Sequence, residues 1–329
     1  MAAAGSRVVL VYALAHPIGE QRLREAGCEV AVLGGDDEAS LVAGLRDADA
    51  VILRGPARLT ARVIESAPRL RAIGALGAGT DNIDVEAASR RGIPVLHNAG
   101  VAPQAVAEFA VGAAIAAHRQ LVKAHRMMAG GEADWDGRFV SLIGTEMTGA
   151  AFGVIGLGNI GREVARMAAC VVGGEVIGYD PWAAADAVPS GVERVDDLHE
   201  LLRRSSTVSV HCALTAQTRG LLGREELRLI GPEGVLVDTA RGGIVDQEAL
   251  IAALHAGELR AAVLDVFDPE PPDPALLRRL AETPNLTLTP HITGITTRSQ
   301  ERLARGVAEN VIAALDGAEL TRVVKPAAH

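Results

Sequence analysis

The feature that most constrains this chain is a recurring pair: a short unbroken run of Val, Ile and Leu, then a stretch with helical spacing. "RVVLVYAL", "CEVAVLG", "AVIL", "RAIGALG" and "IPVLHN" carry the apolar runs through the first hundred residues. Between them Gly19–Ala26, Glu38–Arg46 and Val85–Arg91 read as helices. Apolar runs without alternation, separated by helices, predict parallel strands covered on both faces.

The series is interrupted by one long predicted helix, about Pro103 to Met128, and then by "AGGEADWDGR", a Gly- and Asp-rich stretch around Trp135 expected to be exposed. A second series follows through "GAAFGVIGLG", "EVIGYD", "TVSVHCA", "GVLVDTA", "AAVLDVF" and "NLTLTP", and a last helix of about Arg298 to Leu315 closes the chain. The prediction is therefore α/β, with two doubly wound parallel-sheet domains, the second inserted into the first. Residues 1–101 and 296–329 form one, and residues 102–295 the other. A cleft crossed by two helices is the expected place for a ligand.

At 329 residues the chain is long enough for two domains with real cores. Hydrophobic residues make up 49% of it, yet no uninterrupted apolar run is long enough to cross a bilayer. The opening "MAAAGSRVVLVYALAHPIGE" has too short an apolar run for a signal peptide and reads as a buried first strand, so a cytoplasmic protein is expected. A net charge of −9 argues against nucleic acid as the partner. Cys28, Cys170 and Cys212 lie far apart in apolar stretches, with neither metal-ligand spacing nor a disulfide framework.

"FGVIGLGNIGREVARMAAC" places Gly156, Gly158 and Gly161 directly after a strand and at the opening of a helix, with Asn159 and Ile160 inside the turn. Gly156 permits the tight turn, Gly158 lets backbone approach a pyrophosphate, and Gly161 allows close strand–helix packing. Nineteen residues beyond Gly161, "EVIGYD" ends in Asp180, followed by Pro181. A carboxylate there accepts both hydroxyls of an adenosine ribose and repels a 2′-phosphate, which predicts NAD rather than NADP.

Chemistry in open α/β sheets collects at the carboxyl ends of strands. Those ends carry His211 and Cys212, then Arg241 in "VDTARGG", then Asp265 and Glu270 in "VLDVFDPEPP", and finally His291 in "TPHITG". Singly, each has a bland reading as a loop or core residue. Together, Arg241, Glu270 and His291 suit interconversion of 2-oxo and 2-hydroxy acids. An arginine fork holds a carboxylate through parallel hydrogen bonds. A histidine exchanges a proton with the carbonyl oxygen, and a neighbouring carboxylate raises its pKa.

With these residues the chain resembles the D-isomer-specific 2-hydroxyacid dehydrogenases over essentially its whole length. "GAGTDNIDVEAASRRGIPVLHN", "AVAEFAV", "GVIGLGNIG", "VDTARGGIVD", "LDVFDPEPP" and "TPHITG" stand in family order. The resemblance implies a Rossmann NAD-binding domain inserted into a flavodoxin-like substrate domain. It implies that Arg241 binds substrate, that Glu270 and His291 form the acid/base pair, and that Asp265 holds the nicotinamide amide. Thr239 and Ala240, beside Arg241, join the residues facing the cofactor, and Asn98 and Val106 flank the nicotinamide. Backbone N–H groups of Gly77, Ala78 and Gly79 receive the substrate carboxylate. The resemblance also implies a homodimer, which the stretch between Gly131 and Phe139 would help to build.

The chain departs from the pattern at Ala213, Ser206 and Thr293, and at Pro56, where phosphoglycerate-type members offer a basic side chain and Arg54 or Arg58 is the substitute. With its last predicted helix ending near Leu315, a C-terminal regulatory domain of the longer phosphoglycerate type is not expected. Two other readings differ in class or chemistry: an NAD-sensing co-repressor with little turnover, and a formate dehydrogenase. Glu270 argues against the second, which places glutamine there.

Overall fold

The computed structural model describes residues 3–131, 135, 140–184 and 187–324. Its contacts divide the chain into two compact units, Met1–Ala102 with Ile295–His329, and Pro103–Gly294.

In the first unit the apolar runs become β1 (Arg7–Val11), β2 (Glu29–Leu33), β3 (Ala50–Leu53), β4 (Ala72–Ala75) and β5 (Val95–Leu96). All pair in parallel, in the order β2-β1-β3-β4-β5, the flavodoxin-like arrangement. Successive residues feed opposite faces. Val9, Val51 and Ile73 join one buried cluster, while Val8, Leu10 and Ile52 join another. Helices α1 (Ile18–Glu25), α2 (Glu38–Gly44), α3 (Ala61–Ser66) and α4 (Val85–Arg90) connect the strands. Asp37, Thr60 and Asp84 cap the last three by accepting backbone N–H bonds. Helix α3 was not among the helices read from the sequence.

The second unit opens with helices α5 (Pro103–His118) and α6 (Leu121–Ala129), where the sequence predicts one long helix. The break has a local cause. The His118 carbonyl accepts from the Thr145 N–H at 3.0 Å, Gln120 sits at φ 53, and its side chain donates to the Ile143 carbonyl at 2.7 Å. Polar groups that would continue the helix are tied to the segment after α6.

Seven parallel strands follow: β6 (Phe152–Ile155), β7 (Val176–Tyr179), β8 (Val192–Val195), β9 (Thr207–Val210), β10 (Val235–Asp238), β11 (Ala261–Leu264) and β12 (Leu286–Leu288). Their order is β12-β11-β10-β9-β6-β7-β8, so the first six strands of the unit repeat the Rossmann order and the seventh adds an edge. The unexpected strand β8 contains Glu193 and Arg194 and lies on the other edge, where charge is tolerated. Helix α5 packs with α7 (Asn159–Val172) on one face of the sheet. Helices α8 (Leu198–Arg204), α9 (Arg224–Ile230) and α10 (Gln247–His255) cover the other, and α11 (Pro274–Glu282) leads to β12. The last helix, α12 (Thr297–Asp316), belongs to the first unit and packs against α1 and β4. Among the described residues no helix is long and apolar enough to cross a membrane. Residues 132–134 and 136–139, most of the stretch expected to support a dimer, lie outside those described.

Candidate active site

The topological switch of the second sheet falls between β6 and β9, and the glycine turn stands there. Gly156 has φ 91, and a Cβ on it would lie 2.6 Å from the Cys212 nitrogen. A Cβ on Gly161 would lie 1.8 Å from the Gly156 carbonyl oxygen. Both glycines are demanded by the chain's own packing. Gly158 is not, since a Cβ there would meet nothing within 4 Å. Among the described residues no side chain caps the helix it opens, although acidic side chains cap α8, α10 and α11 in the same unit. Uncapped N–H groups and the positive end of a helix dipole, behind a residue with no side chain, fit a pyrophosphate.

Asp180 lies just past β7. One carboxylate oxygen accepts the Leu157 N–H at 2.8 Å, and the other accepts from Trp182 and Ala183 at 3.0 and 3.1 Å. The acid is thereby tied directly to the glycine turn. Pro181 follows it, Ile160 packs on the core, and Asn159 accepts from Arg162. Val106 is half-buried in the first turns of α5, whose first residue is Pro103.

His211 follows β9, with Nε2 2.7 Å from the Ser209 hydroxyl and Nδ1 3.4 Å from that of Thr239. Burial pulls its pKa down to about 3, and burial pushes the Cys212 thiol up to about 12. Both are neutral near pH 7.

Strands β10, β11 and β12 lie side by side and present the polar trio. Arg241 stands past the buried Thr239 and Ala240 and donates to the Ala240 carbonyl at 2.7 Å. A Cβ on Gly242 would lie 1.7 Å from the Phe267 carbonyl oxygen, so the arginine loop and the glutamate loop touch through bare backbone. Past β11, Glu270 turns back to accept the Phe267 N–H at 3.2 Å. Its other oxygen pairs with His291 Nδ1. The glutamate hydrogen bond raises the His291 pKa, outweighing burial and the repulsion of Arg241. Burial pushes the Glu270 carboxyl up, but the His291 hydrogen bond and charge, the Phe267 N–H and Arg241 bring it below its ordinary value. The three residues predicted from three strand ends thus form one electrostatic group.

Asp265 anchors the loop that carries His291. It is fully buried, and both oxygens are engaged by the loop that carries His291. Oδ1 accepts from the Thr289 hydroxyl and, at 2.9 Å, from the Ile292 N–H. Oδ2 accepts from the Thr293 N–H at 2.8 Å and from the Thr293 hydroxyl. Four donors fill a carboxylate's acceptor sites, so Asp265 staples the loop, and an amide would have to share an oxygen already taken.

Sequence reasoning missed Asp238, a carboxylate closing the apolar run "GVLVD". It is 1% exposed, and burial pushes its pKa up to about 7, with the Ala240 N–H and Arg241 opposing and Asp265 reinforcing. An acid at the end of an otherwise apolar strand was the available signal.

Within the first unit the polar strand ends are Arg54, the Gly77–Gly79 loop, His97 and Asn98. Arg54 donates to the Ala13 carbonyl at 3.0 Å, and His97 Nδ1 lies 3.0 Å from the Ala78 carbonyl. Asn98 is 2% exposed, and its amide nitrogen donates to the carbonyls of Leu76 and Leu303 at 2.8 Å each. The amide nitrogen thus braces its own unit, while the buried Oδ1 has no hydrogen-bond partner among the described residues. Gly77 and Ala78 are exposed and Gly79 is half-buried.

Residues 111–293 match the family model described as "D-isomer specific 2-hydroxyacid dehydrogenase, NAD binding domain". The chain is 38% identical over 317 residues to a D-3-phosphoglycerate dehydrogenase of Methanocaldococcus jannaschii, covering 96% of this chain and 59% of that one. It is 37% identical over 309 residues to a glyoxylate reductase of Thermofilum pendens, covering 91% of this chain and 88% of that one. In structure it matches the TT0316 protein of Thermus thermophilus with a TM-score of 0.88 and 34% identity, over 97% of this chain and all of that one. The chain belongs to the D-isomer-specific 2-hydroxyacid dehydrogenase family, and its second unit is a Rossmann NAD-binding domain. It spans only 59% of the length of the Methanocaldococcus jannaschii relative.

Proposed function

We propose that this chain is an NAD-dependent oxidoreductase that interconverts a small 2-oxo acid and its D-2-hydroxy acid. The observation that carries the reading is the hydrogen-bonded His291–Glu270 couple beside Arg241, presented by three adjacent strands. When bound, the nicotinamide donates or accepts the hydride at the carbonyl carbon.

The protein's part is binding and proton handling. Arg241 takes the substrate carboxylate in a bidentate grip. Glu270 holds Nδ1 of His291, leaving Nε2 to give a proton to the carbonyl oxygen in reduction and to remove it in oxidation. Gly156, Gly158, Asn159, Ile160 and Gly161 seat the pyrophosphate, and Asp180 with Pro181 takes the adenosine ribose. His211, Cys212, Thr239, Ala240, Val106 and Asp265 belong to the neighbouring cofactor region. Arg54, Ala78 and Gly79 contact the substrate. Residues 102–295 are the cofactor domain, and residues 1–101 with 296–329 the substrate domain.

NADH oxidation should be measured across glyoxylate, hydroxypyruvate, pyruvate, larger 2-oxo acids and phosphohydroxypyruvate. No turnover with any of them refutes the activity, and tight NADH binding with a change of oligomer instead would favour the co-repressor reading. Equal catalytic efficiency with NADPH refutes the choice of NAD.

We also propose a cytoplasmic homodimer assembled through the cofactor domain. Leu121, Met128, Val140 and Ile143 are each more than half exposed around α6, an apolar surface that a second copy would cover. Light scattering coupled to gel filtration tests this, and a monomer at micromolar concentration rejects it.

A further inference from the structure

Thr293 is the residue beside His291 that departs from the family pattern, and the structure gives it a specific place. It is 4% exposed, and both its backbone N–H and its hydroxyl donate to Oδ2 of the fully buried Asp265. The Thr289 hydroxyl and the Ile292 N–H occupy Oδ1. Four bonds from residues 289, 292 and 293 therefore converge on one carboxylate and bracket His291. That bracket has work to do, since His291 sits at φ 54, a left-handed conformation that costs a side chain about 1–2 kcal/mol. The His291 N–H also donates to the Asp265 carbonyl at 3.0 Å, so the same residue holds the turn through its main chain.

We propose that Thr293 is a positioning residue, whose hydroxyl bond to Asp265 locks the strained turn that aims His291 at Glu270. The inference rests on the dehydrogenase reading for its kinetic consequences, though not for its structural one. The charged groups that act on His291 are Glu270, Arg241 and Asp265. Loosening the turn weakens the Glu270 contact first, because that contact is a single directed hydrogen bond. The histidine then loses what raises its pKa.

The test compares Thr293→Val, which keeps the shape and removes the hydroxyl, with Thr293→Ser, which keeps the hydroxyl and removes the methyl. Three readouts are needed: kcat against KM, the pH profile of NADH oxidation, and the His291 titration followed by NMR in the protein without cofactor. We expect Thr293→Val to lower kcat about tenfold, a fraction of what a positioned acid/base contributes. Its KM for NADH should stay unchanged, and its pH limb and His291 titration should both move to lower pH. Thr293→Ser should restore all three.

A Thr293→Val enzyme with the parent kcat and the parent titration overturns the proposal. So does a Thr293→Ser enzyme as impaired as the valine variant, which would assign the effect to packing of the methyl. Should the valine variant not fold, Thr293→Ala takes its place with the same expectation. If the parent protein turns over no 2-oxo acid, the dehydrogenase reading fails by itself and the NMR titration still decides the role of Thr293.

Discussion

Two glycines of one motif should fail in opposite ways when each is given a single methyl group. At Gly161 a Cβ would stand 1.8 Å from the Gly156 carbonyl oxygen, where ordinary contact begins near 3.4 Å. Backbone must move to admit it, and overpacking of this kind costs about 1–3 kcal/mol. For a domain of this size, at about 2–4 °C per kcal/mol, Gly161→Ala should lower Tm by roughly 2–12 °C. At Gly158 the same methyl meets nothing, and the residue has φ −70, open to any side chain. Exchange of glycine for alanine at such a φ alters stability by only about 0.4–1 kcal/mol, with the loss of an N-cap glycine partly offsetting the gain.

The methyl of Gly158→Ala would instead occupy the space in front of the uncapped turn of α7. NADH should therefore bind at least about tenfold more weakly, equivalent to about 1.4 kcal/mol, while Tm stays near that of the parent. Thermal melts followed by circular dichroism, with NADH titrations by calorimetry on both variants, separate the effects. A Gly158→Ala protein that binds NADH as the parent does would refute the placement of the pyrophosphate. A Gly161→Ala protein with unchanged Tm would refute the packing argument.

The acid/base group yields three further expectations. His291→Ala should lower kcat by about 10²–10⁴-fold with little change in NADH affinity, measured by steady-state kinetics and fluorescence titration, and a fully active variant would remove His291 from the mechanism. For Glu270→Gln the sign follows from the cause of the shift: reduction needs protonated His291, its pKa is raised chiefly by Glu270, and so the limb where activity falls with rising pH should move to lower pH. A stationary limb would assign the effect to another acid. Arg241→Ala should raise KM for the 2-oxo acid by about tenfold or more, the loss of at least one charge-assisted hydrogen bond, and an unchanged KM would count against the carboxylate grip.

Much of this was legible in the letters for a simple reason. Strands buried on both faces are almost entirely apolar, so β1, β3, β6, β10 and β11 announce themselves and their polar successors stand out as strand-end residues. Arg241, Glu270 and His291 could be grouped on that ground alone. What stayed hidden depends on contacts between distant segments. The break between α5 and α6 is made by Thr145 and Ile143, residues beyond both helices. The loop carrying His291 is anchored on Asp265, whose oxygens accept from Thr289, Ile292 and Thr293, and the Asn98 amide nitrogen is committed to Leu76 and Leu303, contacts no sequence spacing announces. Strand β8 was obscured by Glu193 and Arg194, charges that an edge strand tolerates.

Asp238 leads to the last prediction, which concerns stability and not turnover. Burial pushes this carboxyl from its ordinary 3.8 up to about 7. The folded protein thus keeps a proton that the unfolded chain releases. The stabilisation from that proton is complete below the ordinary value and is lost as pH rises through about 7. Converted at about 1.4 kcal/mol per unit, the loss is at most roughly 4 kcal/mol. Asn is nearly the same size and keeps an oxygen for the Ala240 N–H, which donates to Asp238 at 3.0 Å, but it carries no proton to lose. Urea denaturation of Asp238→Asn and its parent at pH 5 and pH 8 should show the variant gaining on the parent by about 1–3 kcal/mol between the two conditions. An equal difference at both pH values would mean that Asp238 is already ionised in the fold, and that Arg241 and the Ala240 N–H outweigh its burial.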